Sequence, residues 1–266
     1  MLPFMTRPMV VAHRGVTAPS TENTAAENTI PAFENAIGAG ADMVELDVRR
    51  TRDGELIAFH NAAVGRTPVG RLSRDDIAAR AGVRPPLLAE VLRTCAGRIR
   101  LDVELKEDGY VPDVMAVLRA GFDPDALIVT SFLPAVVAQV KDELPEAAAG
   151  LLVGEGGANL PARLREVYPV ATARRVGADY LVPHYRLATL GVVRRAAAAG
   201  LRSLLWTVNS PAVIRRYAAD SRIAAIITDV APLAVSIVAG QAEAAAVAAS
   251  GPVPEAQVQP AAGGRS

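Results

Sequence analysis

Charged residues gather at the ends of otherwise apolar runs. His13 and Arg14 close MVVAHR, Glu45 and Asp47 sit in DMVELDV, Glu104 and Lys106 end IRLDVELK, and Asp229 ends IAAIITD. Residues two apart on a strand share a face, so Glu45 and Asp47 point the same way, as do Glu104 and Lys106. Carboxylates brought into one pocket repel one another unless a cation neutralises them. Oxygen donors without sulfur or clustered imidazoles suit Mg²⁺ or Ca²⁺. Arg14 and Lys106 beside such a cation would take an anion, with phosphate the natural candidate. His13 and His60 change charge near neutral pH and can serve as general acid and general base. The set describes metal-assisted phosphoryl transfer.

Taken singly, each feature has an ordinary explanation. A histidine at a strand end is commonly a hydrogen-bonded structural residue, and Glu45 and Asp47 could pair with Arg49 and Arg50 on an edge strand. Charge at matching ends of several apolar strands is harder to explain structurally, because buried charge is costly without pairing or function.

A parallel barrel would bring these ends together. Eight short apolar runs alternate with helix-like stretches: MVVAHR, DMVELDV, IRLDVELK, ALIVTSF, AAAGLLV, ADYLVPHY, RSLLWTV and IAAIITD. Several of the intervening stretches end in Gly, as helix C-termini often do. The alternation predicts an α/β fold, a (β/α)₈ TIM barrel whose site lies at the C-terminal strand ends. A doubly wound open sheet is the rival. A short β-hairpin is expected after the second strand, because ELDVRRTRDGELIAFH carries Asp53-Gly54 between two strand-like runs. With that turn, Asp47 would face His60 across the ladder.

At 266 residues with 28 basic and 28 acidic side chains, the chain carries no formal net charge, which argues against nucleic acid or an anionic membrane as a partner. The single Cys95 excludes an internal disulfide and fits a cytoplasmic setting. No signal peptide or membrane anchor is read, and no obligate protein partner is evident. One domain is expected over residues 1–238, followed by an unstructured Ala/Pro/Gly-rich tail over 239–266.

AHRG, ENTIPAFENAIGAGADMVELDVRRTRDGELIAFH, LDVELK, WTVN and ITD together resemble the glycerophosphodiester phosphodiesterase family over roughly residues 10 to 235. The resemblance implies a TIM barrel that hydrolyses glycerophosphodiesters to glycerol 3-phosphate and an alcohol with a divalent cation. It implies His13 and His60 as acid/base residues, Glu45, Asp47 and Glu104 as metal ligands, and Arg14 and Lys106 on the phosphate. Trp206 corresponds to an aromatic lining the substrate pocket. The family usually has Asp after its second histidine, whereas Asn61 stands here. An amide can hydrogen-bond but supplies no negative charge. His184 has no clear counterpart, and a pocket-rim or structural role is expected for it. Related barrels that cleave lysophospholipids or sphingomyelin to a cyclic phosphate are the alternative activity, and a phosphoester-binding module without turnover is another.

Glu-Asn-Thr occurs twice, at residues 22–24 and 27–29. Glu22 lies at the family's usual distance from the histidine, while Glu27 directly precedes TIPAFENAI. Pro31 fits only within a first helical turn, which starts the helix near Thr29. Glu27 is therefore expected to be the family-equivalent substrate-binding carboxylate, and Glu22 a residue of an inserted loop.

Overall fold

A computed structural model describes residues 7–17, 26–154 and 168–250. Its eight main strands are β1 (Met9–Ala12), β2 (Met43–Arg50), β6 (Arg100–Leu105), β7 (Leu127–Ser131), β8 (Ala148–Val153), β9 (Tyr180–Pro183), β10 (Arg202–Leu205) and β11 (Ile223–Thr228). Seven fall within one of the eight apolar runs, and β2 runs two residues past DMVELDV to Arg50. All pair in parallel, and β1 bonds to both β11 and β2, so the sheet closes into a TIM barrel rather than an open sheet.

Closure buries both faces of every strand, which is why the runs read as nearly continuous apolar stretches. Outward residues such as Val44, Leu46, Val48, Leu101, Val103 and Leu105 pack under the helices. Inward residues Met9, Val11, Met43, Ile128, Ala148, Tyr180, Val182 and Leu204 fill the barrel. On β2 and β6 the inward set turns polar towards the C-terminal ends, as Glu45, Asp47, Asp102 and Glu104, all buried. Inner packing thus stops where the site begins.

The hairpin pairs β2 with β3 (Leu56–Ala58), but its register differs from the expected one. Val48 faces Ala58 and Arg50 faces Leu56. The Phe59 amide donates to the Asp47 carbonyl at 2.9 Å, so Asp47 faces Phe59, not His60. The turn spans Thr51 to Glu55, closed by Thr51 N–H to the Glu55 carbonyl at 2.9 Å, with Gly54 at φ 87°. Its odd length shifts the pairing by one. A two-stranded ribbon of β4 (Ala63–Val64) and β5 (Thr67–Pro68) follows, then helices Arg74–Ala81 and Leu88–Cys95.

The first crossover helix, Ile30–Gly38, starts as expected. Thr29 caps it in extended geometry and Pro31 lies in its first turn. The last helix runs Ala231–Ser250, past the expected domain boundary at 238. Residues 251–266, the rest of the expected tail, lie outside the described residues, as does Glu22.

Gly15 turns the chain between β1 and this helix. It adopts φ +87°, and a Cβ there would lie 2.7 Å from the Ala32 carbonyl carbon. We expect Gly15→Ala to destabilise the fold by about 2 kcal/mol or more, since both the left-handed backbone and the contact oppose it. Thermal unfolding measures this, and an unchanged Tm would contradict it.

Candidate active site

His13, Arg14 and Gly15 leave β1 in a tight turn, and Arg14 takes a left-handed backbone at φ 57°. For a side chain as large as Arg this conformation is strained, and the partners that hold it are specific. The Arg14 amide donates to Glu45 Oε2 at 2.9 Å, and the Arg14 carbonyl accepts from Asn28 N–H at 3.0 Å. Its guanidinium reaches Glu27 at 3.0 Å and Asp47 at 3.2 Å. His13 Nδ1 lies 2.6 Å from Asp229 Oδ1, which leaves Nε2 turned towards Glu45, 4.0 Å away. Asp229 is in turn held by Asn209 Nδ2 at 2.6 Å. The His13 hydrogen bond, with that of Asn209, holds the Asp229 carboxyl below its usual pKa.

Glu45, Asp47 and Glu104 each offer an oxygen within 4.8 Å of the others. Lys106 Nζ spans Asp47 at 2.7 Å and Glu104 at 2.6 Å. Burial pushes the Glu45 carboxyl well up, and its neighbours Asp47 and Glu104 add to this. Glu104 is also raised, by burial first, with Lys106 opposing. For Asp47, burial acts upwards but Lys106 and Arg14 outweigh it, so the carboxyl stays below its usual value. Burial of Lys106 is likewise outweighed by Asp47, Glu104 and Glu45, which keep its ammonium charged.

A divalent cation fits this set. Three buried carboxylates face only two side-chain cations, and Glu45 Oε1 is buried with no hydrogen-bond partner. The donors are all oxygen, as hard cations prefer.

His60 reaches the pocket from the segment after β3. Its carbonyl accepts from Arg49 Nε at 2.9 Å, and Arg49 also pairs with Glu107. Arg50 pairs with Asp113. Neither arginine neutralises Glu45 or Asp47, which removes the edge-strand explanation. His60 Nδ1 meets Asn61 Oδ1 at 3.1 Å. Burial, with Arg14 and Lys106 nearby, lowers the His60 pKa, and Asp47 opposes this only in part.

His13, Arg14, Glu45, His60, Glu104 and Lys106 line one side of a cavity of about 100 Å³, and Phe132, Leu152, Trp206 and Ile227 line the other. Trp206 donates Nε1–H to the Val182 carbonyl at 2.9 Å and meets Phe132 edge-on at 5.4 Å. It is both pocket wall and barrel packing. His184 packs on Trp206 at 5.2 Å between centroids, at the rim beside that wall. A larger depression of about 770 Å³ lies at the opposite, N-terminal end of the barrel, around Asp42, Arg98 and Arg119, and includes none of these groups.

All nine residues expected at the site converge, Glu27 through its bond to Arg14. Four supporting residues escaped the sequence reading of the site. Asn28, buried at φ 57°, donates Nδ2–H to Asp47 Oδ2 at 2.7 Å and accepts from the Asp47 amide at 3.1 Å. The second Glu-Asn-Thr therefore divides its labour among Arg14, Asp47 and the helix cap. Arg49 anchors His60, and Asn209 links WTVN to Asp229 of ITD. Asp102 lies at i−2 from Glu104, so strand alternation alone could have pointed to it.

Asn28→Gly keeps the left-handed backbone accessible while removing the amide that holds Asp47. We expect kcat/KM for a phosphodiester to fall about 10- to 100-fold with a small change in Tm, because a hydrogen bond to a charged group is lost. Unaltered kinetics would show that Arg14 and Lys106 suffice to hold Asp47.

Comparison with known proteins places the chain in a family. The glycerophosphoryl diester phosphodiesterase family profile matches residues 13–232. A glycerophosphodiester phosphodiesterase of Caldanaerobacter subterraneus subsp. tengcongensis is 28% identical, with 76% of this chain and 86% of the relative covered. Among solved structures, a glycerophosphoryl diester phosphodiesterase from Silicibacter pomeroyi superimposes with TM-score 0.74 at 24% identity, over 88% of this chain and 94% of the other. An Oleispira antarctica phosphodiesterase in complex with the product sn-glycerol-3-phosphate superimposes with TM-score 0.69 at 22% identity, covering 88% and 97%. With the family match running from His13 through the last barrel strand, the chain belongs to the glycerophosphoryl diester phosphodiesterase family.

Proposed function

We propose that the chain hydrolyses glycerophosphodiesters to glycerol 3-phosphate and an alcohol, with a divalent cation and two histidines sharing the proton transfers. One observation carries this reading: three carboxylate oxygens lie within 4.8 Å of one another, and two of the residues that bear them, Glu45 and Glu104, line one cavity with two histidines and two cationic side chains. The product-bound Oleispira relative supports the substrate class.

Glu45, Asp47 and Glu104 would hold Mg²⁺ or Ca²⁺, which supplies Lewis-acid polarisation of the phosphate. Arg14 and Lys106 bind the phosphate oxygens and offset the charge that builds as phosphorus becomes five-coordinate. His13 is the general acid: the Asp229 carboxylate at 2.6 Å from Nδ1 fixes the ring and leaves Nε2 facing the pocket to protonate the departing alkoxide. His60 is the general base. Its Nδ1–H is satisfied by Asn61 Oδ1 at 3.1 Å, and Nε2 keeps a lone pair to take the proton of the attacking water. An amide neighbour suits a base that must stay neutral, so Asn61 is compatible with turnover. No helix among the described residues is long and apolar enough to cross a membrane, and the reading places the enzyme in the cytoplasm with its one thiol, Cys95, reduced and buried.

With glycerophosphocholine as substrate, phosphorus NMR should show glycerol 3-phosphate, and EDTA should abolish its formation. A cyclic phosphate as the end product would replace water by a substrate hydroxyl as nucleophile. Activity that survives complete chelation would overturn the cation requirement. His13→Gln and His60→Gln should each lower kcat about 10²- to 10⁴-fold.

The pH profile tests the base. A general base works deprotonated, so the acidic limb of kcat/KM follows the lowered pKa of His60. Asn61→Asp adds a negative charge beside His60, favours the imidazolium, and should move that limb to higher pH. A limb that stays in place, or moves down, would reassign the base.

A further inference from the structure

One buried carboxylate in the pocket has no part in the chemistry above. Asp102 points inwards from β6, two residues deeper than Glu104, and is 1% exposed. Its Oδ1 accepts from Thr130 Oγ1 at 2.8 Å. Its Oδ2 is buried without any hydrogen-bond partner, yet the residue lines the catalytic cavity beside Thr130, Leu152 and Ile227. Asp102 is also outside the group of oxygens close enough to share an ion, which comprises Glu45, Asp47 and Glu104 among the described residues. A buried carboxylate oxygen left unpaired is costly, so a donor that enters the cavity and meets it is stabilised.

The chemistry of a glycerophosphodiester limits what that donor can be. The phosphate group has only acceptor oxygens, and Arg14 and Lys106 supply its partners. An alcohol to be released such as choline has no N–H or O–H while esterified. The hydroxyls of the glycerol arm are the donors common to the class. Thr130 Oγ1 spends its hydrogen on Asp102 and retains lone pairs for a second hydroxyl. Around them, Leu152 and Ile227 leave room for carbon but offer no polar partner.

We propose that Asp102 and Thr130 form a hydroxyl subsite that receives the free glycerol end of the substrate. The glycerol arm then points into the barrel, and the alcohol to be released points away from Asp102. This inference rests on the glycerophosphodiester reading above. It names Asp102 as a specificity residue that selects diesters with a free hydroxyl over diesters without one. Fully acylated phospholipids are disfavoured for the same reason, since acylation removes the donor.

The test compares substrates on the wild-type enzyme and then on variants. Analogues of glycerophosphocholine that lack the 1- or the 2-hydroxyl should lose about 10- to 100-fold in kcat/KM on the wild type, the loss usual when a buried polar group is left without its hydroxyl partner. Asp102→Ala should lower the ratio of kcat/KM on glycerophosphocholine to that on bis(p-nitrophenyl) phosphate, which has no hydroxyl, by about 10- to 100-fold relative to wild type. Asp102→Asn keeps the shape and guards against loss of folding, and should fall between the two. Full activity on both deoxy analogues would overturn the subsite. Equal losses on both diesters in Asp102→Asn would also overturn it, and assign Asp102 a role in packing or in holding the carboxylate group. Turnover of the nitrophenyl diester with none of glycerophosphocholine is a separate outcome, which would overturn the substrate reading beneath it.

Discussion

Asp47 is the constraint around which the site is built. It has no exposed surface, and a carboxylate so placed costs several kcal/mol unless its lone pairs and charge are matched. Four groups match it: the Asn28 amide at 2.7 Å, the Arg14 guanidinium at 3.2 Å, the Lys106 ammonium at 2.7 Å, and the Asn28 oxygen on its own backbone amide at 3.1 Å. Arg14 and Asn28 come from the connection between β1 and the first helix, and Lys106 from the end of β6. The same arginine whose strained turn brings it to Asp47 donates its amide to Glu45, and the same lysine spans Glu104. Removing the charge on Asp47 would therefore release both phosphate-binding cations and part of the metal set together.

A second chain of contacts serves the proton transfers. Asn209 fixes Asp229, and Asp229 fixes the His13 ring, which couples the ends of β10, β11 and β1. On the other side of the pocket, Arg49 fixes the backbone of His60 and Asn61 fixes its ring. One histidine faces a carboxylate and the other an amide. That difference gives the two rings distinct hydrogen-bond partners within a single small cavity, the kind of asymmetry an acid/base pair requires. The enzyme, a phosphodiesterase of its family, thus uses the same strand-end geometry to position charge on one wall and aromatic packing on the other.

Much of this was legible in the residues. Strands buried on both faces in a parallel barrel read as apolar runs, so all eight could be located, and the charged ends of β1, β2 and β6 stood out against them. The hairpin register was not legible. Asp53-Gly54 signals a turn, but whether the turn has an even or odd number of residues depends on how Thr51 closes on Glu55, and one residue decides which side chain faces Asp47. Asn28 escaped because an Asn before a helix looks like an ordinary turn residue. Its left-handed backbone and its reach to Asp47 arise only when β2 lies alongside.

By itself the sequence determined residue types and local parity: that Glu45 and Asp47 share a face, that Asp102 and Glu104 do too, and that Thr29 with Pro31 starts the first helix. Those properties follow from backbone geometry over a few residues. Which faces meet was decided by the tertiary structure alone. Closure of β1 onto β11 brings His13 to Asp229 across 216 residues, and the parallel register of β2 on β6 sets Asp47 beside Glu104. Such meetings depend on the pairing of the whole sheet, because a strand's neighbours in a closed barrel are set by long-range hydrogen bonds and not by any property of the strand.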